Sequence, residues 1–342
     1  MLTRRRVVFT AKPGAVRDEL WTPQAKALAH ELGFDITLNE CSGSLAPDEW
    51  ADFFAPADAI ITTWGTPTLD EAVLARNASL RIVGHAAGSV ANMVSDHLFD
   101  RGVHVVTANA EMARSVAEWS LMMTLVGARR VLEYSKLGAL DTIDAGRRHL
   151  GQSPTNQTVG ILGYGDIARR LVRMLSVVPP KRILVYANDL SAADAEAAGV
   201  TVVDLPTLFS ESDVLHVLCS LTEETKGMID AGLLERIKDS AVLINAGRAP
   251  IIQRDPLLCE LRKERFAAIL DVHYREPPPP GDPFRALPNV IMTPHCAGRT
   301  NRDRYVPLVL HEFARCFAGE PLEHDVSRAR AVAMTNANLV RG

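Results

Sequence analysis

The sequence predicts an α/β protein built from doubly wound parallel sheets, and three observations predict it. Short apolar runs alternate with helix-like patterns along most of the chain, which places helices on both faces of parallel sheets. One strand-to-helix passage, residues 159–170, reads Val-Gly-Ile-Leu-Gly-Tyr-Gly-Asp-Ile-Ala-Arg-Arg, a G-x-G-x-x-A dinucleotide fingerprint. The chain has 342 residues, long enough for two domains with separate cores.

The first series opens with a strand at 6–10. Helical periodicity covers 16–32, and strands follow at 35–38 and 59–63, the latter ending in Trp64-Gly65. A helix is expected at 69–74, then a strand at 80–84 followed by Ala86-Ala87-Gly88-Ser89, a helical stretch up to Gly102, and a strand at 103–106. Ser115-Val-Ala-Glu118 has the form of a capping box, in which Ser115 accepts from the amide three residues on and Glu118 reaches back to the Ser115 amide. A helix is therefore expected to start there, and the first domain boundary is placed just before it. That helix carries Val116, Trp119, Leu121, Met122, Met123, Leu125 and Val126, apolar almost all round, which predicts burial between two units.

The fingerprint opens the second series. The run before it reads as a buried strand, while Ile167, Leu171 and Leu175 repeat at helical spacing. Gly163 lets the chain turn sharply, Gly165 lets backbone N–H groups approach a pyrophosphate, and Ala168 lets the helix pack closely on the strand. The helix N-terminus favours the anion. Further strands are expected at 183–186, 214–218, 241–245, 267–270 and 290–292, with a stiff extended loop at Pro277–Pro280. Beyond Gly298 a helix over 302–317 is expected to return to the first domain, whose series lacks a covering helix. The tail after Val326 carries no pattern and is expected to be loosely held.

Composition narrows the function. The chain is 47% hydrophobic and 23% charged with a net charge of −4, both signs interspersed. It lacks the basic stripe of a nucleic-acid binder, and no apolar run reaches the ~18 residues of a membrane span. The opening Met-Leu-Thr-Arg-Arg-Arg superficially resembles a twin-arginine export signal. Ala11, Lys12, Pro13 and Gly14 interrupt any apolar region, so a first strand is the better reading. Five scattered cysteines (41, 219, 259, 296 and 316) have neither zinc-site spacing nor a disulfide framework, which fits a reducing cytoplasm; no metal site is expected.

In open α/β sheets ligands bind beyond the carboxyl ends of the strands. Three charged groups follow predicted strands there: Arg248 in Asn-Ala-Gly-Arg, Asp271 with Glu276, and His295 in Thr-Pro-His. Each alone could be a surface or loop residue. Together, behind a cofactor fingerprint, they supply a carboxylate fork, an acid/base and the carboxylate that orients it. With a nicotinamide nearby these are the parts for reducing a 2-oxo acid.

Four ordered motifs, Gly160-Ile-Leu-Gly-Tyr-Gly, Leu243-Ile-Asn-Ala-Gly-Arg, Leu270-Asp-Val-His-Tyr-Arg-Glu-Pro and Pro288-Asn-Val-Ile-Met-Thr-Pro-His, resemble the D-2-hydroxyacid dehydrogenase family, and Gly319-Glu-Pro-Leu is similar as well. The resemblance covers about Ala59 to Val326. It implies two flavodoxin- or Rossmann-like domains, the cofactor domain inserted in the substrate domain: 1–114 as the first part of the substrate domain, 115–298 as the NAD(P)-binding domain, and 299–342 returning. It implies that Arg248 binds the substrate carboxylate and carbonyl, His295 is the general acid/base, Glu276 pairs with His295, and Asp271 holds the nicotinamide carboxamide. The backbone of Ala87, Gly88 and Ser89 would receive the substrate carboxylate, and the assembly would be a homodimer. The cofactor contacts would come from Gly163, Tyr164, Gly165, Asp166, Ile167, Asn188, Asp189, Cys219, Ala246, Asp271 and His295.

The chain departs from the family in places. The acidic residue expected after the second cofactor-domain strand is missing, since Val185-Tyr186 continues as Ala187-Asn188-Asp189. This relaxes selection against NADP. Yet no Lys or Arg lies between Arg182 and Lys226 to bind a 2′-phosphate, so NAD is expected and NADP stays open. Asp189 is alternatively a helix cap near Ser191. Cys219 stands in Leu-Cys-Ser where His-x-Pro is common, and His273 replaces an aromatic and is read as structural. The usual Asp-Asn signal after His85-Ala-Ala-Gly-Ser is absent; His85 and Trp64 are read as packing residues that could also line the pocket. Two other readings compete: a non-enzymatic, dinucleotide-responsive corepressor-type protein on the same scaffold, and a formate- or phosphite-type dehydrogenase. Arg248, Glu276 and His295 together argue against the first. Glu276 in place of the glutamine expected of a formate enzyme argues against that form of the second.

Overall fold

The structure, a computed structural model, describes residues 4–131 and 151–340. The first three residues of the opening Met-Leu-Thr-Arg stretch lie outside the described residues. The chain divides into two compact units, Met1–Met112 with Thr300–Ala337 and Ala113–Arg299 with Asn338–Gly342.

The first unit holds a five-stranded parallel sheet in the order β2-β1-β3-β4-β5, with β1 Arg5–Phe9, β2 Phe34–Leu38, β3 Ala59–Thr62, β4 Ile82–His85 and β5 His104–Thr107. Alternate residues face opposite ways, and each face has its own core. Val7, Phe9, Ile61, Ile82 and Val106 pack with Tyr305, Val306, Val309, Leu310 and Phe313 of the helix Tyr305–Ala318. Val8, Ile60, Val83 and Val105 pack with Trp50, Phe54, Leu74 and Leu98 on the other side. The helix after Arg304 thus supplies the cover that the first series lacks. Its approach is close: a Cβ at Gly84 would stand 2.2 Å from Val309 Cγ1.

The second unit holds a seven-stranded sheet in the order β12-β11-β10-β9-β6-β7-β8. Its strands are β6 Thr158–Leu162, β7 Arg182–Tyr186, β8 Thr201–Val202, β9 Val214–Val217, β10 Val242–Asn245, β11 Ala267–Leu270 and β12 Val290–Met292, paired parallel throughout. Strand order reverses between β6 and β9, the switch point at which doubly wound sheets bind ligands. Among the described residues no helix is long and apolar enough to cross a membrane.

Several local expectations are corrected. The stretch 16–32 forms two helices, Ala15–Leu20 and Pro23–Glu31, because Thr22 caps the second through the Ala25 amide and Pro23 occupies its first turn. Residues 69–74 make one hydrogen-bonded turn held by Asp70, not a helix, and Leu69 bridges to Val94. The helix Pro47–Phe54 was missed; it is only eight residues long. Ser115 does not cap a helix: one continuous helix runs Asn109–Ala128, Ser115 is buried within it, and Glu118 pairs with Arg114 instead. The good helix formers from Ala110 to Arg114 let the helix nucleate upstream, immediately after β5. Nor is that helix covered all round, since Met122 is 48% exposed and Leu121, Leu125 and Val126 are half-buried. The described residues after Val326 are tied down rather than loose. Val326 donates to the Val105 carbonyl, Arg328 pairs with Asp96 and Asp100, and a helix spans Arg328–Ala333.

Candidate active site

The fingerprint folds as its residues require. Gly163 leaves β6 at φ +91°, and a Cβ there would meet the Cys219 backbone at 2.6 Å. Its neighbour strand β9 ends beside it, with Leu218 N donating to Leu162 O at 2.9 Å. Gly165 is the N-cap of the helix Asp166–Leu175 and makes no side-chain cap bond. A Cβ on it would face open space. The N-cap glycine thus puts no side chain over the start of that helix at the switch point, which suits an anion. Ala168 is fully buried, Tyr164 is buried with the Arg169 guanidinium 4.6 Å above its ring, and Asp166 and Ile167 are half-buried.

Asn188 and Asp189 lie exposed in the turn after β7. Ser191, not Asp189, caps the next helix by accepting from the Asp194 amide. The described residues of this turn include no basic side chain. Cys219 is partly buried, and burial pushes its thiol up to about 12. It therefore offers a neutral thiol and its backbone. Ala246 is buried at the end of β10. These residues fit a dinucleotide: the glycine turn, the helix start at Gly165 and the exposed strand end lie where pyrophosphate and ribose would sit.

The charged groups come from three adjacent strands. Arg248 follows β10, Asp271 and Glu276 follow β11, and His295 follows β12. His295 Nδ1 stands 2.7 Å from Glu276 Oε2. The other Glu276 oxygen accepts from the His273 amide at 3.1 Å. Burial raises the Glu276 carboxyl, but bonds from His295 and His273 and the charge of Arg248 outweigh it, leaving it below its ordinary value. Burial pushes the Arg248 guanidinium down, and Glu276 and Asp271 oppose this. Arg248, Glu276 and Asp271 thus share one electrostatic neighbourhood. The Arg248 loop is tied by Asn245, which accepts from Gly247 N at 3.0 Å and donates to Arg248 O at 3.2 Å. Arg248 donates through one NH to Gly247 O at 2.7 Å.

His295 has φ +50°, a left-handed conformation rare outside glycine. Asp271, 1% exposed, holds the loop that carries it. Its carboxylate accepts from Thr293 Oγ1 at 2.5 Å, Cys296 N at 2.9 Å and Ala297 N at 2.9 Å. His273 adds a bond from Nε2 to Thr293 O at 2.8 Å, the structural role expected of it. Sequence reasoning missed Asn245 and Thr293. An asparagine closing a strand and a threonine opening Thr-Pro-His were the only signals.

In the first unit, Ala87 and Gly88 are buried and Ser89 is half-buried in the turn after β4. His85 is buried against Thr62 Oγ1 at 2.9 Å, and burial lowers it to about 4, so it is neutral. Trp64 is 48% exposed, with the Arg302 guanidinium 4.8 Å above its ring.

The model of the D-isomer specific 2-hydroxyacid dehydrogenase NAD binding domain matches residues 121–297. A glyoxylate/hydroxypyruvate reductase B of Escherichia fergusonii is 31% identical over 81% of this chain and 87% of its own length. A D-3-phosphoglycerate dehydrogenase of Archaeoglobus fulgidus is 30% identical over 68% of this chain, and the match spans 44% of that relative's length. The solved structure of a phosphoglycerate oxidoreductase from Rhizobium etli superposes with a TM-score of 0.80 at 24% identity, covering 95% of this chain and 99% of that one.

Proposed function

The chain belongs to the D-isomer specific 2-hydroxyacid dehydrogenase family and carries its NAD-binding domain, and on that premise we propose that it reduces a 2-oxo acid to the D-2-hydroxy acid and runs the reverse oxidation. The observation that carries the proposal is the 2.7 Å pair of His295 and Glu276 beside the Arg248 guanidinium, at the ends of three neighbouring strands. NAD(H), when bound, supplies the hydride. Arg248 presents its planar fork to the substrate carboxylate and polarises the carbonyl. His295 gives its proton to the carbonyl oxygen in reduction and takes it back in oxidation, while Glu276 orients the ring through its contact with Nδ1. Asp271 holds the loop on which His295 rides. The amides of the Ala87–Ser89 turn receive the substrate carboxylate.

NADH is the favoured form, because the exposed turn at Asn188 and Asp189 offers a carboxylate and no cation to a 2′-phosphate. The half-covered stripe Leu121, Met122, Leu125 and Val126 supports a homodimer, and five free cysteines suit a reducing cytoplasm. Turnover of a panel of 2-oxo acids with NADH and with NADPH, followed by chiral analysis of the products, tests the reading. It predicts D-products with NADH preferred. No oxidation of either cofactor across the panel, or L-products, would overturn it.

A further inference from the structure

β4 and β5 pair up to His85 and Thr107, and Ala108 N donates to His85 O at 2.9 Å. Beyond that rung the chain turns through Ala86-Ala87-Gly88-Ser89. Thr107 is 3% exposed, and its hydroxyl lies 2.8 Å from the Ala87 carbonyl oxygen and 2.6 Å from the Gly88 carbonyl oxygen. One hydroxyl hydrogen shared between successive carbonyls is a three-centre bond, and it turns both carbonyls to the same side. In a planar trans peptide the carbonyl and the next N–H point in opposite directions. The amides of Gly88 and Ser89 therefore point together, away from Thr107.

Among the described residues neither amide has a protein acceptor. Buried amides are nearly always paired; Gly88 is buried and Ser89 half-buried, so their two adjacent N–H groups are open to an acceptor from outside the chain. Successive convergent N–H groups form an anion-binding concavity. A Cβ at position 88 would stand 2.7 Å from Met112 Sδ, so the methionine side chain would have to shift to admit one. The Ser89 hydroxyl is already engaged, donating to Thr335 O at 2.7 Å and accepting from Ala91 N at 3.3 Å. What the turn presents is backbone.

We infer that Thr107 is a positioning residue for substrate: its hydroxyl sets the Ala87–Gly88 and Gly88–Ser89 peptides so that two adjacent amides hold one carboxylate of the 2-oxo acid. The inference rests on the proposed function. Thr107→Val keeps the shape and removes the donor; Thr107→Ser restores the donor. In the valine variant KM for the 2-oxo acid and Ki for oxalate should rise together by about tenfold or more, with kcat and the NADH Kd changed by less than about threefold, since the lost bonds act on a charged group bound alike in ground and transition states. The serine variant should return both constants to near wild type.

An unchanged KM in a folded valine variant, or a serine variant that behaves like valine, overturns the inference while the reductase reading stands. If the valine variant does not fold, or the wild type reduces no 2-oxo acid, a crystal of the wild-type protein with oxalate decides. Oxalate oxygens within hydrogen-bond distance of Gly88 N and Ser89 N support the inference. Oxalate bound elsewhere, or those amides turned toward Thr107, overturns it.

Discussion

Replacing Asp271 with asparagine separates two roles for a residue that the structure places at the hub of the site. Both carboxylate oxygens are engaged: Oδ1 by Thr293 Oγ1 and Cys296 N, Oδ2 by Ala297 N. Asparagine offers one oxygen and one NH2. If its oxygen takes the Oδ1 place, the Ala297 N–H faces an NH2; if it takes the Oδ2 place, the Cys296 N–H does. Thr293 can rotate its hydroxyl to adapt, but one buried backbone N–H is orphaned in either orientation, at about 1–3 kcal/mol. The surviving bonds also lose their charge assistance, bringing the destabilisation to roughly 2–4 kcal/mol.

The loop has a reason to move once released. His295 sits between the tied residues at φ +50°, a conformation that costs about 1–2 kcal/mol for a residue with a Cβ. A shift of about 1 Å in the ring relative to Glu276 is enough to lower kcat about a hundredfold. Asp271→Asn should therefore lower the melting temperature and cut kcat about a hundredfold at saturating NADH, with NADH affinity changed only a few-fold. Thermal denaturation, steady-state kinetics and an NADH fluorescence titration read these together. If instead the carboxylate serves chiefly to hold the nicotinamide carboxamide, NADH affinity falls and kcat recovers at saturating cofactor. That pattern, or a folded variant with full kcat, would refute the loop-anchoring argument.

Two other perturbations are specific. Arg248→Lys keeps the charge but replaces a planar fork with a point donor, so kcat/KM for the 2-oxo acid should fall by about a hundredfold while NADH binding holds; a variant with wild-type kcat/KM contradicts the clamp. The Glu276 carboxyl lies below its ordinary value of 4.5, held there by His295, His273 and Arg248 against the opposing effect of burial. Its contribution to stability is therefore present above the ordinary carboxylate range and is lost as pH falls through the lower folded value. Glu276→Gln should remove that acid-side loss of stability and lower kcat/KM at all pH values; melting curves and rate profiles across acid pH check it, and an acid limb identical to wild type would contradict it.

Much of this architecture was legible in the sequence because parallel strands buried on both faces are written as plain apolar runs. The runs before Gly163 and before Arg248, Asp271 and His295 fall on β6, β10, β11 and β12 for that reason. The fingerprint glycines were legible because backbone geometry, not distant packing, demands them. What escaped was set at long range. The Asp271 carboxylate reaches Thr293, Cys296 and Ala297, more than twenty residues downstream, and no local pattern announces that closure. The start of the helix at Asn109 was misplaced because Ser115-Val-Ala-Glu118 satisfies the capping pattern in a helix already under way. The tail looked featureless because its bonds to Ser89 and Asn92 join residues some 245 positions apart. The break after Trp21 was in fact announced by Thr22-Pro23.

The central claim is that the imidazole of His295, oriented by Glu276, moves the proton in this reaction. His295→Ala measured at saturating NADH and 2-oxo acid, beside an NADH titration of the same variant, tests it most directly. Loss of a positioned acid/base should lower kcat by about 10²–10⁴-fold, with NADH bound as in wild type. A variant that binds NADH and turns over at the wild-type rate would contradict the account.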